Sequence, residues 1–113
     1  MAQAVLPVMD LPENPLDAAG LFYADYLPQA RHMLAGPADA LVIHFPESQN
    51  DQRGWQLAAI QSLARASTPK RVNAMAGPEG RSAQDMARWL EQAPGITGQL
   101  LRFAGNAQEI QAL

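Results

Sequence analysis

Two stretches in the C-terminal half of the chain decide the fold: Arg71-Val-Asn-Ala-Met-Ala-Gly-Pro-Glu79 and Ile96-Thr-Gly-Gln-Leu-Leu-Arg-Phe-Ala-Gly105. The first opens with an alternating apolar run, Arg71 to Ala76, and the second contains another short apolar run, Gln99 to Phe103; both runs are typical of strands. Between them, Ser82 to Gln92 has the pattern of a helix whose first residue acts as the N-cap. A strand–helix–strand order predicts two parallel strands joined by a crossover helix.

The same alternation extends upstream. Short apolar runs predict strands at Ala4 to Met9 and Ala40 to Phe45, and longer segments predict helices at Asp17 to Ala35 and Gln52 to Ser67. Pro28 lies inside the first helix and is expected to kink it. The resulting order is β-α-β-α-β-α-β, which predicts an α/β fold with a mainly parallel sheet. The alternative for the first run is a simple loop.

Length and composition bound the function. A chain of 113 residues with 48% apolar residues predicts one globular domain, residues 1–113, that ends in a short tail at residues 106–113. The net charge of −3 and the absence of a basic cluster argue against nucleic acid and anionic membranes as partners. The chain has no cysteine and no secretory signal pattern, which favours a cytoplasmic location. No histidine stands at metal-ligand spacing with other ligands, so we expect no metal site.

The motifs resemble the C-terminal half of the short-chain dehydrogenase/reductase (SDR) family. There the pattern runs R-V-N-A-V-A-P-G, then a helix, then I-T-G-Q-x-L-x-V-D-G-G. The similarity covers roughly Asp17 to Gly105, and Ile96 to Gln99 is its most specific match. The resemblance implies a Rossmann-like half-fold that keeps the last four strands of the family's sheet, with helices packed on the sheet.

The departures from the family concern its chemistry. The cofactor loop T-G-x-x-x-G-x-G, whose glycines let backbone amides hold a pyrophosphate, does not occur. Too few residues precede Asp17 for the family's first half, so the resemblance implies a truncated relative. The family's catalytic Y-x-x-x-K falls on Gln49 and Arg53, and neither residue supplies the acid/base chemistry of tyrosine and lysine. We therefore expect no catalytic residues, no cofactor and no enzymatic activity, with an oxidoreductase as the ancestral class.

Polar residues gather just after the second predicted strand. Glu47, Ser48 and Arg53 are the candidates for contact with a ligand, because ligands of open α/β sheets bind beyond the carboxyl ends of the strands. A small-ligand protein or an enzyme with a new site at this edge is therefore an alternative function, and weak NAD(P) binding is the least favoured one. His44, inside an apolar strand, is interpreted as structural.

The expected arrangement of the sheet predicts assembly. The first strand becomes an edge, which suits Pro7 because proline cannot donate to a ladder. Right-handed crossovers alone would put all three helices on one face, whereas the resemblance moves the last helix to the other face. Either arrangement leaves part of a face bare, which predicts an obligate oligomer unless the tail covers the gap.

The leading function is therefore an oligomerisation or protein-interaction module. The partner is a second copy, in a dimer or tetramer, or a full-length SDR protein. In the family the two long helices pair with their copies in a four-helix bundle. The candidate interface residues are the aromatic residues of the helices: Phe22, Tyr23, Tyr26, Trp55 and Trp89.

Overall fold

The protein is described by a computed structural model that covers residues 2–104. The predicted tail, residues 106–113, lies outside the described residues. The strands are β1 (Gln3–Pro7), β2 (Ala40–Phe45), β3 (Arg71–Ala76) and β4 (Leu100–Arg102). The helices are α1 (Pro15–Leu21), α2 (Leu27–Ala35), α3 (Arg53–Ser67) and α4 (Arg81–Glu91).

The sheet has four parallel strands in the order β1-β2-β3-β4. This confirms the predicted α/β half-fold, and it excludes the loop alternative for the first strand. β2 is buried at every position because both faces of the sheet are covered there. Its bounds and those of β3 are the predicted ones.

The first helical segment is continuous from Pro15 to Ala35 but changes its hydrogen-bond pattern in the middle. Asn14 caps its start, since its side-chain oxygen accepts from two backbone N–H groups of the first turn. Phe22 to Tyr26 form a π turn, and the Leu27 N–H donates to the Phe22 carbonyl. Pro28 follows at once and has no N–H to offer the preceding turn. The predicted kink is therefore a wider turn just before the proline.

The helices divide between the two faces of the sheet. α1, α2 and α3 pack on the face that carries Leu41, Ile43 and Phe45, whereas α4 packs on the opposite face against Val42 and Met75. Every crossover steps in the same direction across the sheet. The β3–α4–β4 crossover therefore has the opposite hand to the other two, which departs from the usual rule. The expectation that all three helices lie on one face is therefore wrong. The placement of the last helix on the opposite face, which the resemblance implies, is confirmed.

The start of α4 corrects one prediction. Gly80, not Ser82, occupies the N-cap, and the helix begins at Arg81 without a side-chain cap. Gly80 has φ of 135°, a backbone conformation that side-chain-bearing residues rarely adopt. The sharp entry into the helix therefore requires glycine, and Ser82 lies inside the first turn.

Two residues of the family motifs, Asn73 and Thr97, hold the loop before β4 in place. The Asn73 side chain donates to the Ile96 carbonyl at 2.9 Å and accepts from the Gln99 N–H at 3.0 Å. The Thr97 hydroxyl accepts from the Val72 N–H at 3.1 Å. These bonds satisfy backbone groups that the short β4 strand leaves without a ladder partner. Asn73 and Thr97 are therefore scaffold residues.

Arg71 stabilises the end of α4. Its guanidinium donates to the carbonyls of Leu90 and Ala93, both at 3.1 Å. A cation at a helix C-terminus also interacts favourably with the helix dipole. The R-V-N motif thus ties β3 to both the helix and the loop that follow it.

β1 is an edge of the sheet, as predicted. The Val8 N–H donates to the His44 carbonyl at 2.9 Å, and the Ala2 carbonyl accepts from the Asp39 N–H at 2.8 Å. Because bonding residues alternate along a parallel strand, the backbone nitrogen of Pro7 points away from β2, where no donor is needed. Val5, on the side of the sheet that carries α4, is exposed.

Within residues 2–104, no helix is both long enough and apolar enough to cross a membrane.

Candidate functional site

The carboxyl ends of the strands form a concave edge. A cavity of about 400 Å³ opens there, between the segment that follows β1 and the segment that joins β2 to α3. We call it the edge cavity. Its lining residues are Leu11, Pro12, Glu13, Pro46, Glu47, Ser48, Gln49, Asp51, Gln52 and Gln56.

A second cavity, of about 290 Å³, lies beside it under the ends of β1, β2 and β3, and we call it the His44 cavity. Buried His44 lies on its wall, with Nε2 2.9 Å from the Gly77 carbonyl. A carbonyl only accepts, so Nε2 carries the proton in this contact. His44 is thus hydrogen-bonded to the backbone, which fits its interpretation as structural. Glu47 lines both cavities.

The loop that lines the edge cavity is held by an arginine of β4. Arg102 donates to the Asn50 side-chain oxygen at 2.7 Å and to the Ser48 carbonyl at 3.1 Å. Sequence reasoning missed this residue, and its signal was a single charge within the otherwise apolar β4 run. The two bonds link residues about half the chain apart and hold Ser48 and Asn50 against β4.

Two buried glutamines differ in their surroundings. Gln52 is fully engaged: its amide donates to the Glu13 carbonyl at 2.8 Å and accepts from the Trp55 indole N–H at 2.7 Å. Gln56, one helical turn further on, is only 3% exposed. Within residues 2–104, its side-chain amide has no hydrogen-bond partner, yet the amide is not sealed from solvent. Because Gln56 lines the edge cavity, this remaining exposure faces the cavity.

The predicted ligand-facing residues occupy different positions. Glu47 and Ser48 line the edge cavity. Arg53, the first residue of α3, is exposed and is not among the residues that line either cavity. Gln49, which the resemblance aligns with the family's catalytic tyrosine, is exposed and lines the edge cavity. Sequence reasoning did not single out Glu13 or Gln56.

The edge is strongly acidic. Glu13, Glu47 and Asp51 line the edge cavity, and Asp10 and Glu79 add two carboxylates to the His44 cavity. Neither lining contains a lysine or an arginine. The field at this edge therefore favours cations and disfavours the phosphates of a dinucleotide. In the part of the chain that the structure describes, no group of three or more histidine, cysteine or acidic side chains is arranged to hold a metal ion.

The aromatic residues predicted for an interface separate into two groups. Phe22 is 1% exposed and stacks among Phe45, Trp55 and Tyr26, with ring centroids 5.5 to 6.3 Å apart. It is a core residue, because the π turn directs it onto the sheet, so its placement corrects the expectation of a surface position. Tyr26 and Trp55 are half-buried. Of the five candidates, Tyr23 and Trp89 are the exposed ones, at 46% and 54%.

These features define a class: a parallel α/β domain with Rossmann-like crossovers, a concave carboxyl-terminal edge and no glycine-rich phosphate loop in its 113 residues. The family model described as "Short chain dehydrogenase-like protein" matches residues 6–103. The chain therefore belongs to the SDR-like family. No curated protein and no solved structure matches it significantly.

Proposed function

We propose that this chain is a non-catalytic SDR-like domain that acts by assembling with a second copy of itself or with a full-length relative. The observation that carries the proposal is the outer face of α1 and α3. Leu16 of α1 is 83% exposed there, and Tyr23, in the π turn that continues α1, is 46% exposed. Gly20 and Gly54 have open space above them, and Ala58 is exposed. A face of small and apolar residues permits the close approach of another helix pair.

The chemistry of the edge supports the absence of catalysis. The Gln49 amide offers no proton that can be exchanged in acid/base catalysis, and a guanidinium is a poor substitute for the family's lysine in proton relay. A general acid/base must exchange a proton within reach of the substrate. Neither residue meets that requirement, and Arg53 is not among the residues that line either cavity.

The assembly is tested by placing a charge on the proposed face. Ala58→Arg should convert a dimer or tetramer into a monomer, because the long charged side chain would have to be buried between helices without a partner. Light scattering coupled to size exclusion, at several micromolar concentrations, measures the mass. Gln84→Arg, on exposed α4 across the sheet, is the matched control and should leave the mass unchanged.

A wild-type chain that stays monomeric across this range would contradict self-assembly. The same variant pair then tests the other partner, by pull-down with a full-length SDR protein. If Ala58→Arg binds that protein as well as Gln84→Arg does, the α1–α3 face is not the contact.

Nicotinamide cofactors should not bind. Titration with NADH should give no saturable change in tryptophan fluorescence up to about 1 mM, the upper end of usual substrate affinities. The physical reason is that the sequence offers no glycine-rich loop whose backbone amides could hold the pyrophosphate, and the edge cavity is lined by carboxylates. Trp55, bonded to Gln52 at the edge cavity, is the reporter. Saturation in the micromolar range would contradict the loss of the cofactor site.

A second candidate function, binding of a small ligand at the edge cavity, is favoured by one specific observation. Gln56 presents a buried, unpaired amide to a cavity that has polar groups around it. Water in the cavity can reach this amide in the free protein, and a bound molecule with a donor and an acceptor can take the place of that water.

A further inference from the structure

Gln56 has no structural reason to be polar. It lies within α3, where the neighbouring inward positions Ala59, Ile60 and Leu63 are apolar. Its side chain is more buried than any other polar residue of the edge cavity and has no partner within residues 2–104. Gln52, by contrast, uses both ends of its amide to join α3 to the Glu13 segment. An amide that is buried and idle in the free protein is suited to a ligand that supplies both a donor and an acceptor.

The charge of the lining selects the kind of ligand. Three acidic residues, Glu13, Glu47 and Asp51, belong to the lining, and no lysine or arginine does. The guanidinium of Arg102, in β4, bonds to Asn50 and to the Ser48 carbonyl and is not part of the lining, so the three carboxylates outnumber this cation. A positively charged ligand is attracted to this field and lowers the repulsion among the carboxylates.

The size and the walls limit the ligand further. A volume of about 400 Å³ lies at the lower end of the range typical of small-molecule pockets. Leu11, Pro12 and Pro46 add apolar surface to the same lining. The ligand therefore has a short hydrocarbon part that separates a cation from a neutral polar group.

We propose that the edge cavity binds a small organic cation, a primary amine or a guanidine that also bears an amide group. Gln56 pairs with the amide group, and Glu13, Glu47 and Asp51 balance the positive charge. The inference is independent of the proposed assembly, since the residues of the cavity lie at the carboxyl edge of the sheet and not on the outer face of α1 and α3.

The test uses a matched set of probes and amide-resolved NMR of the labelled protein. The probe 4-aminobutanamide carries both an ammonium and an amide. Pentanamide replaces the ammonium with a methyl group, and 4-methylpentylamine replaces the amide with an isopropyl group. We expect saturable shifts of the Gln56 side-chain amide and of residues 47–52 with the first probe. The other two should bind at least about tenfold more weakly, the factor that one charge-assisted hydrogen bond supplies.

Variants connect the binding to the named residues. Gln56→Leu should weaken binding of 4-aminobutanamide about tenfold. Glu47→Gln should also weaken this binding. Gln56→Leu should also melt no lower than the wild type, because it removes an unpaired buried amide. Gln61→Leu, an exposed glutamine of the same helix, is the control and should bind like the wild type.

Three results would overturn the proposal. They are shifts that never saturate, equal binding of pentanamide and 4-aminobutanamide, and wild-type binding by Gln56→Leu. If Gln56→Leu does not fold, Gln56→Met, which keeps the length of the side chain, takes its place with the same expectations.

Discussion

Replacing Phe22 with alanine should lower the free energy of unfolding by about 3–5 kcal/mol, the range for truncating a buried phenylalanine. The ring is 1% exposed and contacts Phe45, Trp55, Tyr23 and Tyr26. Alanine would leave a cavity at the junction of the π turn, β2 and α3, because the surrounding rings come from three different elements and cannot all move into the space. Such a loss is a large part of the stability of a small domain.

Urea denaturation followed by tryptophan fluorescence measures the effect, at one protein concentration because assembly adds to apparent stability. Phe22→Leu should lose about 1 kcal/mol, since it keeps most of the apolar volume. Tyr23→Ala, on the adjacent exposed position, should lose no more than about 1.5 kcal/mol, the upper value for an aromatic pair. If Phe22→Ala has the same midpoint of urea unfolding as the wild type, Phe22 is not the centre of the core.

Gly77→Ala should be the second large effect, a loss of about 1–3 kcal/mol or more from overpacking. A Cβ at this position would lie 2.7 Å from the Phe103 ring and 2.7 Å from the Phe103 carbonyl oxygen. The ring could rotate, but the carbonyl belongs to the backbone that follows β4, where the Phe103 N–H donates to the Ala76 carbonyl at 3.1 Å. The added methyl group must therefore push this segment away from β3 and disturb the bond between His44 and the Gly77 carbonyl.

Gly95→Ala is the matched control, because a Cβ there meets nothing within 4 Å. It should be neutral or should stabilise by less than about 1 kcal/mol through a less flexible unfolded chain. Thermal and urea unfolding of the two variants give the comparison. Equal stability of Gly77→Ala and Gly95→Ala would show that the segment around Phe103 can move without cost.

The central strands could be predicted closely from the sequence. Ala40 to Phe45 is a continuous apolar run and Arg71 to Ala76 an alternating one, and proline or glycine follows each run. Local pattern is sufficient there because burial on both faces favours apolar residues along most of each strand, and the polar exceptions, His44 and Asn73, are hydrogen-bonded. The ends of helices were less predictable. The N-cap of α4 is Gly80 and not the predicted Ser82, because the turn into the helix requires the backbone conformation of Gly80 and uses no side-chain cap.

The candidate site was only partly predictable. Glu47 and Ser48 could be placed at the edge because they directly follow a strand, and both line the edge cavity. Gln56 and Glu13 could not, since one lies inside a helix and the other in a segment from a different part of the chain. Phe22 was placed at the surface because a helix rich in apolar residues has no clear polar face to show which side is buried.

By itself, the sequence determined the order of strands and helices and the absence of the glycine loop and of the Tyr–Lys pair. It also determined membership of the SDR-like family, whose model matches residues 6–103. Each of these depends on residue types at short spacing. Only the tertiary structure decided that α4 lies on the opposite face, that Phe22 is in the core and that Gln56 faces a cavity without a partner. These depend on distances between residues far apart in the chain, such as the 2.8 Å bond from Gln52 to Glu13, which no local pattern encodes.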